Sequence, residues 1–240
     1  MANLFVCGDT HGLVYDTRKL NGRRFLKQKK LTKEDVVVIL GDFGWVWYPF
    51  GTNAQQEYYL DWFAQKPYTL AVIPGNHDNY DLIETLPTTR RWGASVYALE
   101  RQKGTIYFLR RGEAYRIGSR RILAIGGALS VDKAERTPHE SWWPRELLSE
   151  EEKIRTMKNI KRHAGRFDYI LTHTAPVSVI DRLSRKHDID EAKRRDPVVH
   201  FLEEVKNRCA FHAWHFGHFH IDDAIDDTFF AHYRNAPVPL

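Results

Sequence analysis

Residues 36–42 read Val-Val-Val-Ile-Leu-Gly-Asp. Five aliphatic residues in a row leave no polar face. The run therefore predicts a strand covered on both sides, closed by the Gly41-Asp42 pair. Leu4–Gly8 has the same form: it is apolar and followed by Asp9, with His11 two residues further on. Thr69–Ile73 is turned sharply by Pro74-Gly75 and followed by Asn76. Tyr169–Thr172 leads into His173, and the strand-like tract Phe211–Phe216 leads into Gly217, His218 and His220.

Helical signals separate these runs. Asn53 is a cap for a helix reaching about Lys66. Ser149 and Glu152 form a capping box for a helix to about His163. A third helix is expected from Pro197 to Asn207, and the basic stretch Arg18–Lys33 reads as a surface helix or loop. The middle changes character. Val96–Leu99, Thr105–Leu109, Ala114–Ile117 and Arg120–Ile125 are short runs between tight turns, which predicts an antiparallel meander. Residues 128–148 read as loop, Thr228–His232 as the last strand, and the tail Asn235–Leu240 as irregular. The pattern predicts one α/β domain over residues 1–240, with two mixed sheets packed face to face and flanked by helices.

Composition bounds the rest. The chain has 240 residues, 42% hydrophobic and 28% charged, which is ordinary for a globular protein with a substantial core. Lysine and arginine exceed aspartate and glutamate by 5, a charge that allows an anionic substrate but does not point to duplex DNA as a stable partner. Cys7 and Cys209 are the only cysteines and both lie in apolar, strand-like stretches, so buried free thiols are expected rather than a disulfide framework. The first residues show neither a basic segment nor a cleavage site. No run reaches the roughly 18 apolar residues a membrane span needs. A soluble cytoplasmic protein is expected, in a host cytoplasm if phage-encoded.

The residues after the strands carry the chemistry. Asp9, His11, Asp42, Asn76, His173, His218 and His220 offer carboxylate, imidazole and amide ligands, a mixed N/O shell suited to Mn²⁺, Fe or Zn²⁺. On a continuing strand Asp9 and His11 would share a face, as would His218 and His220. Asp42 could bridge two metals, and ions about 3.5–4 Å apart polarise a phosphate jointly.

Asp9-Thr10-His11, Gly41-Asp42, Gly75-Asn76-His77-Asp78, His173 and Gly217-His218-Phe219-His220 occur in an order that resembles the calcineurin-like metallophosphoesterase family. The resemblance implies a β-sandwich flanked by helices and a dinuclear centre. Asp9, His11 and His220 would hold one metal and Asn76, His173 and His218 the other, with Asp42 bridging. His77 would protonate or steady the leaving oxygen, and Asp78 would orient His77. Manganese leads the implied metals, with Fe, Zn and Ni as others. Phosphate mono- or diesters would be hydrolysed by attack of a metal-bridging hydroxide.

The implied substrates are phosphorylated small molecules, nucleotides or nucleic-acid ends. A serine/threonine protein phosphatase is an alternative. It is disfavoured because Phe43-Gly44 stands where that branch carries an arginine, and Asp78 where it carries glutamate. A non-catalytic scaffold is a further alternative, opposed by the complete ligand set. Gly126–Asp132 with Trp142-Trp143 looks like small bacterial and phage members.

Other features stay open between a structural and a functional reading. Trp45, Trp47, Tyr48 and Phe50 either pack beneath their loop or form a platform for a base or aryl group. Arg110, Arg111, Arg136 and Arg145 either lie on the surface or approach a phosphate. The mixed-charge run 182–195 is either a solvated face or a lid. Asp222-Asp223 and Asp226-Asp227 read as turns.

Overall fold

The computed structural model describes residues 2–240. One sheet has seven strands and the other six. The first contains β1 (Leu4–Cys7), β2 (Val36–Leu40), β3 (Thr69–Ile73), β4 (Thr88–Arg91), β5 (Ala94–Arg101) and β6 (Gly104–Leu109). The second contains β7 (Glu113–Ile117), β8 (Arg120–Ile125), β9 (Tyr169–Thr172), β10 (Ala213–Phe216), β11 (Asp223–Ala224) and β12 (Phe229–Ala231). β13 (Val238–Pro239) returns to the first sheet. The orders are β13-β1-β2-β3-β6-β5-β4 and β11-β12-β10-β9-β8-β7. Pairs β1–β2, β2–β3, β3–β6, β8–β9, β9–β10 and β10–β12 are parallel and the outer pairs antiparallel, so both sheets are mixed.

The aliphatic run at 36–40 serves two cores. Val36, Val38 and Leu40 point between the sheets, where they meet Tyr115, Ile117, Ile122 and Leu171. Val37 and Ile39 point outward and pack with Leu60 and Phe63 of helix α2 (Ala54–Ala64), which comes after the short α1 (Val14–Thr17). The period-2 alternation of a strand thus needs an apolar residue at every position. On the outer face of the second sheet, Ile170, Trp214 and Phe216 are covered by three helices, α4 (Glu150–Arg162), α5 (Val177–Leu183) and α6 (Pro197–Arg208). The sixth helix, α3 (Tyr80–Ile83), is one turn after the β3 loop. The capping box of α4 is complete: the Ser149 hydroxyl accepts the Glu152 N–H at 3.3 Å and Glu152 Oε2 accepts the Ser149 N–H at 2.8 Å. No helix among the described residues is long and apolar enough to cross a membrane.

Five expectations are corrected. The four central strands do not form one meander: β5–β6 pair in the first sheet and β7–β8 in the second. The chain changes sheets at Arg110–Gly112, where Gly112 adopts φ +83° and its N–H is accepted by Ala124 O. The tail is not irregular, because Val238 and Pro239 pair with Val6 and Phe5 and cover the β1 edge; Phe229–Ala231 is therefore not the last strand. Proline is tolerated there because the pairing is at an edge. Cys209 caps the C-terminus of α6 and is half-buried, whereas Cys7 is buried in β1. The 18–33 stretch is built from short 3₁₀ turns, and Lys19 within it is buried.

Candidate metal centre

β1, β2, β3, β9 and β10 all end on the same side of the sandwich, and their following loops meet there. Strand ends fix the loop origins, which leaves the loops free to aim side chains at one point. The expected continuation of the strands does not occur. β1 stops at Cys7 and β10 at Phe216, before the paired motifs begin. His11 (φ +50°), Asp42 (φ +49°), His218 (φ +68°) and His220 (φ +56°) adopt left-handed backbone instead. Among the described residues only seven non-glycine residues do so, and four of them are here. That conformation is costly for a side-chain-bearing residue, and strain of this kind concentrates at functional sites.

Two glycines make the close approach possible. A Cβ on Gly41 would lie 2.0 Å from His173 Nδ1, and one on Gly75 would lie 2.2 Å from Asp42 Oδ1. The space is taken by the His173 ring and the Asp42 carboxylate themselves.

Two clusters result. In the first, Asp9, His11 and His220 bring one ligand atom each within 4.8 Å of the others; Asp42, His173 and His218 do the same in the second. Asp42 stands between them: Oδ2 is 3.5 Å from His11 Nε2 and Oδ1 is 3.2 Å from His173 Nε2. Asn76 joins the second cluster with Oδ1 2.9 Å from His173 Nε2. Its amide is oriented by Ser130, whose Oγ accepts Nδ2 at 3.0 Å and in turn donates to the buried Glu146 at 2.5 Å. His11 Nε2 and His220 Nε2 face each other at 3.0 Å. Two lone pairs at that distance repel unless a proton or a cation lies between them. The site thus fits divalent ions by its donor types, its two-lobed arrangement and its opposed imidazoles.

A model of the family described as calcineurin-like phosphoesterase matches residues 2–222. The chain belongs to the calcineurin-like phosphoesterase family. Comparison with curated proteins finds none that matches. The two-sheet α/β architecture is that of a calcineurin-like phosphoesterase, and the two metal-binding clusters accord with its metal-dependent hydrolysis of phosphate esters.

The charges explain what a calcineurin-like site of this form gains from a cation. Burial opposes protonation of His11, but the Asp42 hydrogen bond and the Asp42 and Asp9 charges hold it up at about 9. His173 is likewise opposed by burial and held up to about 9 by Asp42 and Asp9. Burial and the surrounding cations push His218 well down and His220 to about 4. Protons on His11 and His173 are thus doing what metal cations would do, and binding ions would expel them.

His77 lies outside both clusters, its ring centroid 6.0 Å from that of His11. Arg136 Nη2 is 3.1 Å from His77 Nε2 and also bonds Asp132 Oδ2 at 2.6 Å. A guanidinium can only donate, so Nε2 presents its lone pair. Burial, and then the Arg136 charge working against Asp42, hold His77 below the usual imidazole range.

Asp78 does not reach the imidazole. It accepts the N–H groups of Gly75 at 2.7 Å, Gly44 at 2.8 Å and Phe43 at 3.2 Å, and so ties the β2 and β3 loops together. It is short, buried and next to three open backbone donors, which the motif spacing did not reveal.

Arg111 is buried against Glu152 at 2.8 Å, and Arg145 pairs with Glu84 at 2.5 Å, so neither faces the clusters. Trp45 is buried and stacked on Tyr59; Trp143 is buried with Trp47 against it edge-on. Lys193, from the mixed-charge run, lines the cavity beside Asp42, Asn76, His77, His218 and His220, its Nζ 3.0 Å from His218 O. Asp226 accepts the N–H groups of Thr228 at 2.7 Å and Phe229 at 2.8 Å, as a turn-forming carboxylate does; Asp222–Asp223 is not a turn, because Asp223 lies in β11 and Asp222 accepts the distant N–H groups of Tyr233 and Arg234 at 2.8 Å.

Sequence reasoning missed Lys19, Ser130 and Glu146. Lys19 donates to the backbone carbonyls of Gly8, Asp9 and Tyr233 and so pins the Asp9 loop. A lone lysine in a basic stretch carries no signal for such a role.

Proposed function

We propose that residues 1–240 form a single phosphoesterase domain holding two divalent ions. Asp9, His11 and His220 bind one, Asn76, His173 and His218 the other, and Asp42 serves both. The observation that carries this reading is the placement of Asp42, with one carboxylate oxygen toward each cluster, 3.5 Å from His11 and 3.2 Å from His173. Hard oxygens mixed with imidazole favour Mn²⁺, with Fe, Zn²⁺ or Ni²⁺ able to substitute. When bound, the ions supply Lewis acidity and an activated water.

The chain's own groups do the rest. Lys193 faces the cavity and attracts an anionic phosphate. An anionic substrate oxygen competes for the Arg136 guanidinium, which frees Nε2 of His77. The same negative charge raises the proton affinity of His77. The imidazole then takes up a proton on substrate binding and delivers it to the leaving oxygen. The free thiols of Cys7 and Cys209 suit a reducing, cytoplasmic setting.

The test is hydrolysis of p-nitrophenyl phosphate and bis-p-nitrophenyl phosphate by protein stripped of metal and reloaded with Mn²⁺. Turnover of at least one ester is expected. Turnover of neither, with any common divalent metal, overturns the reading.

A further inference from the structure

His77 stands at the junction of two cavities. On one side lies the charged cavity of about 130 Å³ that holds Asp42, Asn76, Lys193, His218 and His220. On the other opens a cavity of about 300 Å³ that begins at His11 and His77 and runs under the loop after β2 to the start of α2.

The second cavity differs in chemistry. Among the described residues its lining includes no carboxylate, lysine or arginine. Its walls are aromatic and amide: Trp47 and Tyr48 on the loop, Asn53 and Gln55 at the head of α2. The shape is built in. Gln56 is buried and holds the loop, with Oε1 accepting the Trp47 and Tyr48 N–H groups at 2.8 Å and Nε2 donating to Tyr48 O at 2.9 Å. The floor is made of Gly12 and Gly44, where a Cβ on either would lie 2.4 Å from the other's backbone. Three polar groups remain available. The Asn53 carbonyl caps α2, but its NH₂ has no partner among the described residues; the Gln55 amide and the Tyr48 side chain are exposed.

We infer that this cavity receives the leaving group of the substrate and that the leaving group is a nucleoside. The inference rests on the phosphoesterase reading above. With the phosphoryl group in the charged cavity, the ester oxygen falls at His77 and its substituent extends into the aromatic one. Flat heteroaromatic rings stack on indole and phenol faces. Amide side chains match the donor and acceptor edge of a base, and beyond the His11 end the aromatic and amide walls carry no charge. A glycerol substituent would leave the aromatic faces unused.

The experiment has two parts. Metal-free protein is titrated with adenosine and followed by tryptophan fluorescence. Saturable quenching is expected, weakened about tenfold or more in Trp47→Ala and about threefold in Gln55→Ala, which is exposed and leaves the fold intact. Mn²⁺-loaded protein is then compared on adenosine monophosphate and glycerol phosphate. The nucleotide is expected to have the higher kcat/KM by about tenfold or more, with the ratio falling toward unity in Trp47→Ala. Hydrolysis of both esters with equal efficiency, or a preference for glycerol phosphate, overturns the nucleoside assignment and leaves the phosphoesterase reading standing. Hydrolysis of neither, together with no turnover of either p-nitrophenyl ester, contradicts the phosphoesterase reading instead; whenever neither monoester is turned over, the adenosine titration decides the cavity alone, and absence of saturable binding overturns it.

Discussion

Asp42 Oδ1 accepts the backbone N–H of His77 at 2.7 Å. The carboxylate between the two ligand clusters is therefore tied to the segment that carries the imidazole proposed to protonate the leaving group. Burial alone would raise the Asp42 pKa, but the His173 and His77 charges and the His11 and His173 hydrogen bonds hold it well below the usual carboxylate range. It stays anionic and available to cations.

Asp42 and His77 should separate in their mutant behaviour. Asp42→Asn keeps an oxygen for the His77 N–H but removes the shared negative charge, so it should lose metal and turnover together. His77→Ala should keep metal content and lose about 10²–10⁴-fold in kcat, the range of general acid catalysis. Metal analysis of dialysed protein alongside steady-state kinetics checks both. Intact activity in both variants would show that the site is misassigned.

Gly41→Ala tests the close approach of the β2 loop to His173. The new methyl would lie 2.0 Å from Nδ1 on a backbone at φ +94°. Both effects should destabilise the fold by roughly 2–4 kcal/mol and lower metal affinity by displacing the ring. Denaturant melts and metal titration are the measurements; wild-type values in both would contradict the packing described.

The parts of the fold legible in the sequence were those set by local pattern. Val36–Leu40 and Thr69–Ile73 declare themselves as buried strands, and Ser149 with Glu152 as a helix start, because each signal lies within a few residues. The split of β5–β6 from β7–β8 was hidden, since a tight turn at Gly112 looks the same whether the next strand pairs or changes sheets. Pairing of Val238–Pro239 with β1 depends on an open sheet edge elsewhere. At the site, motif order revealed the residues brought together. The left-handed backbone of His11, Asp42, His218 and His220 that brings them together was not legible, because Asp and His are enriched in that conformation only several-fold over a low base and most of them lie elsewhere.

Lys19 predicts a stability effect distant in sequence from its cause. Its ammonium is buried and donates to Gly8 O at 3.2 Å, Asp9 O at 2.5 Å and Tyr233 O. Lys19→Met fills the space but leaves these buried carbonyls without their donor. A loss of about 2–4 kcal/mol is expected, with weaker metal binding because the Asp9 loop is released. Unchanged stability in chemical denaturation would contradict this.

His215 and His232 predict an acid-side dependence of stability. Nδ1 of the first and Nε2 of the second are 2.9 Å apart and buried, so one neutral ring donates to the other. Burial and His232 push His215 well below its usual range. Burial, opposed by Asp222 and aided by Lys19, lowers His232 to about 4. The unfolded chain, with histidine near about 6.5, binds these protons more readily than the folded one. The contribution is therefore fully present above about pH 6.5 and is lost as pH falls toward about 4, by up to roughly 3 kcal/mol for His232. His232→Gln, which keeps a hydrogen-bonding group, should show a shallower fall in denaturation midpoint over that window. Parallel slopes for the two proteins would count against the pair.

The central claim is that the two clusters sharing Asp42 are a two-metal site. The most direct measurement is the stoichiometry of Mn²⁺ retained by the purified protein, with His173→Ala and His11→Ala alongside. Two ions per chain are predicted in the wild type, with the second-cluster ion lost in His173→Ala and the first-cluster ion in His11→Ala. Retention of no ion by the wild type, or retention unaffected by either substitution, would contradict it.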